Sequence, residues 1–321
     1  MTEQLRQRCD LFFDNYQTVK GFARWEYGMM YYLCAYLYTR QGKKIDAAKV
    51  DECRKMIKQK EGPFSQFRNA LSLSVACELS LEEDPEEVFD LAKKAYDALR
   101  EEFTSSAYLP LAAITLARAV AEDEFAEKAA RARAVYDQMK KSHAFLTGAE
   151  DVPFAVLFAL GDRAQESISA DVEAAYLRLR EKFYVSNALQ SVSHCLSLEG
   201  DSVQNAERLI ALWQELKDCR RRYGVDLELV TLAALASRQG ASAAQIAEVS
   251  DYLRGKKGFG NWALGQRQRS MYAASLVGLE CGADADATAI NGAAGVILQQ
   301  AVTVSIMAAM VVQATNAAAN S

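Results

Sequence analysis

The feature that most constrains the fold is a segment that recurs along the chain about every 40 residues. Residues 189–200, LQSVSHCLSLEG, form an apolar stretch that is typical of a helix and is closed by a Gly-Asp turn. Comparable stretches end at Gly42, Glu82, Glu122, Gly161, Gly200, Gly240 and Gly282. A fixed interval of this size is typical of a helical repeat array, in which each unit buries its apolar face against its neighbours.

A second set of residues keeps the same interval. Each charged segment beside an apolar stretch carries one large side chain in register: Tyr16, Met56, Tyr96, Tyr136, Tyr176, Trp213 and Tyr252. Each repeat is therefore predicted to be a helix pair, an apolar helix A followed by a longer amphipathic helix B. Residues 3–19 are predicted to form a lone B helix that caps the first pair.

The predicted fold is all-α, an α-solenoid of about seven stacked helix pairs. The alternative is a closed α/α toroid, in which the ends of the array meet. Small-angle scattering separates the two, because a toroid is compact and a solenoid is elongated. Residues 1–285 are predicted to form this single helical-repeat domain, the N-terminal capping helix included.

The last segment, residues 286–321, has a different composition. Asp286 is the last charged residue, and the Ala-rich stretch that follows is interrupted by Gln299, Gln300 and Gln313. A membrane span needs about 20 apolar residues, so we predict no membrane anchor. We expect a helix that packs on the repeat domain or against the same helix of a second copy in a homodimer.

Charge and composition exclude several classes of function. The net charge of −5 repels phosphate backbones as a whole, so no nucleic-acid binding is predicted. The seven cysteines contain no C-x-x-C pair and predict reduced thiols in a cytoplasmic protein. The N-terminal residues lack the pattern of a secretory signal. No nucleotide-binding, zinc-protease or serine-hydrolase motif is present, and no cofactor or metal is predicted.

The two histidines form the candidate site for chemistry. His143 lies in the predicted loop between the third and fourth pairs, and His194 lies one repeat later. Since both stretches belong to the same edge of the array, they are expected to converge with Glu150, Asp151, Asn187 and Gln190. Two imidazoles and two carboxylates suit a metal site or acid–base chemistry.

The same residues also have a structural interpretation. Thr147 and Glu150 have the spacing of a helix-capping box, and Asn187 and Gln190 repeat that spacing. His194 lies where other repeats carry mostly apolar side chains, so a buried core histidine is the default there. A ligand or metal site is the alternative.

A second candidate surface is basic. The B helices finish with cations, which suit the negative end of the helix dipole. In a stack of pairs all B-to-A turns lie on one edge, so that edge is predicted to be basic and the opposite edge acidic. The residues predicted to form a docking edge are Arg220, Arg221, Arg222, Lys256 and Lys257.

The strings MKKSHAFLTGAED and NALQSVSHCLSLEG resemble those of a bacterial family of uncharacterised, all-helical cytoplasmic proteins, catalogued as a domain of unknown function. The resemblance covers most of the chain and implies no activity, so it transfers no catalytic residues. The leading hypothesis is a non-enzymatic scaffold that binds a protein or peptide partner. The alternative is a small-ligand or metal-dependent enzyme that uses His143 and His194.

Overall fold

The computed structural model describes residues 1–24, 26–69, 71–143, 145–198, 200–226, 228–237 and 241–281. These residues contain fourteen α-helices and no β-strand, which confirms the predicted all-α class. The helix predicted in residues 286–321 lies outside the described residues.

In chain order the helices are α1 (Glu3–Phe22), α2 (Gly28–Arg40), α3 (Ala47–Lys60), α4 (Ser72–Leu79), α5 (Pro85–Glu102), α6 (Leu109–Ala119), α7 (Phe125–Ser142), α8 (Val152–Leu160), α9 (Gln165–Arg180), α10 (Asn187–Ser197), α11 (Ser202–Asp218), α12 (Glu228–Ala236), α13 (Ala243–Arg254) and α14 (Gln266–Cys281). The even-numbered helices are the apolar A helices, and the odd-numbered helices are the B helices. The predicted alternation is found throughout this part of the chain. Short 3₁₀ turns occur at Gln66–Arg68, Glu122–Glu124 and Ala149–Asp151.

The two kinds of helix differ in how much of their surface is buried. In α8, every residue from Val152 to Ala159 is buried, as expected for a helix that is apolar on all sides. In α5, the buried residues recur every three or four positions at Phe89, Ala92, Ala95 and Leu99. The A helices are therefore covered on all sides, whereas the B helices bury one stripe and expose the rest.

Helix starts follow ordinary capping chemistry. Asp84 accepts hydrogen bonds from the backbone N–H groups of Glu86 and Glu87, and Pro85 occupies the first turn of α5. At α13, the hydroxyl of Ser242 and the side chain of Gln245 form a reciprocal capping box. In both helices, a side chain at the N-cap therefore satisfies backbone N–H groups of the first turn.

The described residues group into two compact units. Unit 1 contains Met1–Phe13, Ser142–Thr147 and the described residues from Ala164 onward. In it α10 packs on α9 and α12, and α14 packs on α12 and α13. The first half of α1 joins this unit, with Phe12 packed on Phe259 and Tyr272 at ring-centroid distances of 5.5 and 5.3 Å.

Unit 2 contains Asp14–Lys141 and Gly148–Arg163. Within it α4 packs on α2 and α3, and α6 packs on α5 and α8. Its interior holds a charge network in which Arg40 and Arg118 both approach Glu78 to 2.6 Å. Burial by itself raises the pKa of Glu78, but the two guanidinium groups hold it below its ordinary value.

The single repeat domain over residues 1–285, and its open or closed arrangement, stay predictions. Among the helices that the structure describes, none combines the length and the apolar character that crossing a membrane requires.

Candidate functional site

The segment Ser142–Thr147 holds His143 against α9 in unit 1. The Nε2 atom of His143 lies 2.8 Å from Oε2 of Glu173, and its ring centroid lies 4.2 Å from that of Tyr176. The imidazole side chain is 14% exposed. The carboxylate fixes the orientation of the ring, as carboxylates do for many catalytic and metal-binding histidines.

Thr147 anchors the same segment to the first turn of α10. Its hydroxyl donates to the carbonyl oxygen of His143 at 3.0 Å and accepts from Nε2 of Gln190 at 2.7 Å. Gln190 is fully buried. Gln190 therefore lies beside the His143 segment, and the Thr147 hydroxyl bonds to both.

The capping box predicted for α8 is wrong by one residue. The backbone N–H of Gly148 donates to Oδ2 of Asp151 at 3.0 Å, so the pair is Gly148 and Asp151 and not Thr147 and Glu150. Asp151 is fully buried in unit 2. Its carboxylate closes the 3₁₀ turn that leads into α8.

The capping box predicted for α10 is also wrong by one residue. Ser186 is the N-cap, and its hydroxyl accepts from the backbone N–H of Leu189 at 3.2 Å. Asn187 is the first residue of the helix. Since neither Thr147 nor Gln190 is needed as a cap, their side chains bond to each other.

His194 is fully buried within α10, as expected for a core histidine. The candidate residues Glu150 and Asp151 belong to unit 2, while His143 and His194 belong to unit 1. Within the described residues, no group of three or more His, Cys, Asp or Glu side chains is placed to hold a metal ion. The accessible titratable pair is His143 with Glu173, which offers acid–base groups.

Glu173 and Tyr176 are partners of His143 that the sequence analysis missed. Tyr176 is the register residue of its B helix, and Glu173 precedes it by one helical turn. Residues three positions apart share one helix face, so the register position marks the face that meets the preceding loop.

The predicted docking edge begins where α11 ends. The backbone N–H of Arg221 donates to the carbonyl of Leu216 at 2.8 Å, and Arg220 adopts the left-handed conformation with φ +56°. This is the helix-ending position at which glycine is usually found, because a Cβ atom is strained there. The loop therefore places an arginine at a position of backbone strain.

This loop lines a cavity of about 430 Å³ in unit 1. Five cationic side chains contribute to its wall: Lys217, Arg220, Arg221, Arg222 and Arg267. The aromatic side chains of Trp213 and Tyr223 also line it. The hydroxyl group of Tyr223 bonds to Thr231 at 2.7 Å, so the tyrosine contributes its ring to the wall. The size suits a small molecule, and the charge suits an anion.

Two of the predicted docking residues are engaged by carboxylates. Arg221 binds Asp251 through both terminal nitrogens, at 2.9 and 2.5 Å. Lys256 binds Asp10 at 2.7 Å and lies over the ring of Tyr252. Arg220, Arg222 and Lys257 are exposed.

Exposed aromatic side chains accompany the cations. We define the loop edge of unit 1 as residues 143–147 of that unit together with the three loops that precede its A helices, residues 181–186, 219–227 and 255–265. Phe145 is 100% exposed and Tyr184 is 92% exposed, and Trp262 is also fully exposed. The exposure of these residues was not predicted from the sequence, although each follows the basic end of a B helix.

The helices define a class: an all-α protein of alternating apolar and amphipathic helices. Residues 15–317 match the family described as Protein of unknown function (DUF4003), and the chain belongs to that family, which confirms the resemblance noted from the sequence. It is 22% identical over 226 residues to a Bacillus subtilis (strain 168) protein named "Uncharacterized protein YeaA", with 67% of each chain covered. No solved structure matches the chain.

Proposed function

We propose that the protein is a non-enzymatic helical scaffold that binds a protein partner through the loop edge of unit 1. The exposure of large aromatic side chains on successive loops of this edge carries the proposal. Aromatic residues are enriched at the energetic centres of protein interfaces, since their rings bury large areas at low entropic cost.

The placement of these loops supports a continuous surface. Phe183 packs edge-on against Trp213 at 5.2 Å, which joins the loop after α9 to α11. Arg221 binds Asp251, which joins the loop after α11 to α13. Exposed apolar groups on these loops therefore lie on neighbouring segments of one surface.

Charge indicates what kind of partner fits. The loops 181–186, 219–227 and 255–265 contain six Lys and Arg residues and two acidic residues, Glu181 and Asp226. The chain as a whole carries a net charge of −5, so the charge of this basic surface is opposite in sign to the net charge of the molecule. Complementary charge speeds association and selects partners, which favours an acidic segment that also carries apolar side chains.

Site-specific photo-crosslinking in the cells that make the protein tests the proposal. A benzophenone amino acid replaces Tyr184 in one strain and Trp262 in another. We expect both positions to crosslink to the same protein, and the crosslinked peptide to be acidic. Crosslinking reads out the location of contact, which simple capture from a lysate does not.

Val203 provides a matched control. It is apolar and 45% exposed, but it lies in the first turn of α11, at the end of the helix away from the loop edge. Crosslinks of equal yield from Val203, or different proteins from Tyr184 and Trp262, would argue against a defined docking edge. Binding of the purified protein to anionic vesicles, lost with Trp262→Ser, would replace the protein partner with a membrane surface.

The alternative, a metal-dependent enzyme, would use His143 and Glu173 as its accessible groups. A metal assay on protein purified without chelator tests it. Zinc or manganese in stoichiometric amount, lost on His143→Ala and retained in the exposed-site control Arg180→Ala, would favour the enzyme.

A further inference from the structure

We propose that the cavity at the end of α11 binds a small soluble molecule through a diphosphate group. This inference goes beyond the proposed partner binding, because it concerns a concave site for a small ligand and not the exposed loop surface. It rests on the charge, the size and the construction of the cavity.

The first argument is charge. Three carboxylates lie near the five cations of the wall: Asp251, which binds Arg221, Glu228, whose charge interacts with Arg267, and Asp226, whose charge interacts with that of Glu228. Five cations and three carboxylates leave two positive charges. Like charges held together repel one another, and a bound anion of matching charge offsets that repulsion.

The second argument is that three of the five cations form no ion pair among the described residues. Among the described residues, Arg222 and Arg267 form no ion pair, and both side chains are exposed. The ammonium group of Lys217 lies 5.4 Å above the ring of Trp213 and forms no ion pair within this part of the chain. These cations retain hydrogen-bond donors for a ligand.

The third argument is the direction from which the cations come. Lys217 lies in the last turn of α11, Arg222 in the loop after it, and Arg267 in the first turn of α14. A ligand in the cavity is therefore contacted from separate chain segments. Guanidinium forks bind phosphate oxygens in pairs, and each phosphate group offers three strong acceptors.

Two members of the wall are fixed before any ligand arrives. Asp251 holds the guanidinium group of Arg221, and Phe183 packs against the ring of Trp213. Fixed groups bind more tightly because less conformational freedom is lost on binding. A diphosphate presents two phosphate groups, so cations from two of these chain segments can each bind one group, which a single phosphate does not allow.

Isothermal titration calorimetry with pyrophosphate, at physiological ionic strength, tests the proposal. We expect saturable binding with one site per chain and weaker binding at higher salt. Arg222→Gln and Arg267→Gln should each weaken binding by about tenfold, since each removes a charge-assisted hydrogen-bond donor. Thermal melting confirms that these exposed-site variants fold.

Arg180→Gln is the matched control, because Arg180 is an exposed arginine at the end of another B helix and outside the cavity. Its affinity for pyrophosphate should equal that of the unaltered protein. An equal loss in Arg180→Gln, or no loss in the two cavity variants, would overturn the assignment to the cavity. Failure of pyrophosphate to bind at all would overturn the proposal.

Other anions define the ligand class. Orthophosphate should bind more weakly than pyrophosphate, and citrate that binds as tightly as pyrophosphate would overturn the preference for phosphate. ADP that competes with pyrophosphate would assign the cavity to organic diphosphates, and pyrophosphate binding without ADP competition would restrict it to the inorganic ion. Crosslinking from Tyr184 should be unchanged in Arg267→Gln, which separates this test from that of the partner proposal.

Discussion

Arg220→Gly is predicted to stabilise the protein while it weakens anion binding. Arg220 has φ +56° directly after α11, and the left-handed conformation costs a residue with a Cβ atom about 1–2 kcal/mol. Glycine removes this strain, but its greater conformational freedom in the unfolded chain lowers the free energy of unfolding by about 0.5–1 kcal/mol. The net gain in free energy of unfolding is about 0.5–1 kcal/mol.

Urea denaturation followed by circular dichroism measures this difference, and the midpoint should rise without a change in slope. In a chain longer than 250 residues, the melting temperature should rise by only about 1–3 °C. Arg220→Ala is the control, because it removes the charge but keeps the Cβ atom, and it should not reach the stability of Arg220→Gly. Equal stability of the two variants would refute the strain argument.

Three further outcomes are expected in unit 2 and at the His143 segment. Glu78→Gln should lower the free energy of unfolding by about 3–5 kcal/mol, because it leaves the charges of Arg40 and Arg118 without their buried partner; denaturation at pH 7 measures the loss. The pKa of Glu78 is lowered in the folded state. Its contribution to the free energy of unfolding should therefore be fully present at pH values above the ordinary pKa of glutamate, and it should disappear as the pH falls through the folded-state pKa. Glu78→Gln should lack this part of the dependence of stability on pH. Thr147→Val should cost about 1–3 kcal/mol in a melting experiment, because it leaves the buried amide of Gln190 without its acceptor.

The helices were predictable from sequence because their signals are local. An apolar run such as that of α8 and a cap such as Asp84 before Pro85 depend on neighbouring residues alone. The alternation of apolar and amphipathic stretches predicted the order of the two kinds of helix. These features need no knowledge of distant contacts.

The candidate site was only partly predictable, because neighbouring residues offer alternative capping pairs that differ little in free energy. In the string TGAED, the Thr147–Glu150 and Gly148–Asp151 pairs have the same spacing. Packing of Gln190 from α10 selects the second pair, because the Gln190 amide donates a hydrogen bond to the hydroxyl of Thr147.

Exposure of aromatic residues was not predictable for a similar reason. Phe103 and Phe145 both follow the end of a B helix, yet Phe103 is 5% exposed and Phe145 is 100% exposed. Phe183 and Tyr184 are adjacent in sequence, and only the tyrosine faces solvent. Each difference depends on which residue meets the neighbouring B helix, as Phe103 meets Tyr136 and Phe183 meets Trp213.

Fluorescence of Trp213 tests most directly whether unit 1 binds anions in its cavity. A variant with Trp25→Phe and Trp262→Phe retains Trp213 as its only tryptophan. Pyrophosphate should change its emission saturably, with the midpoint found by calorimetry, because a ligand there displaces the Lys217 ammonium group from the indole ring. Calorimetric binding without any change in Trp213 emission would place the ligand elsewhere and contradict the account.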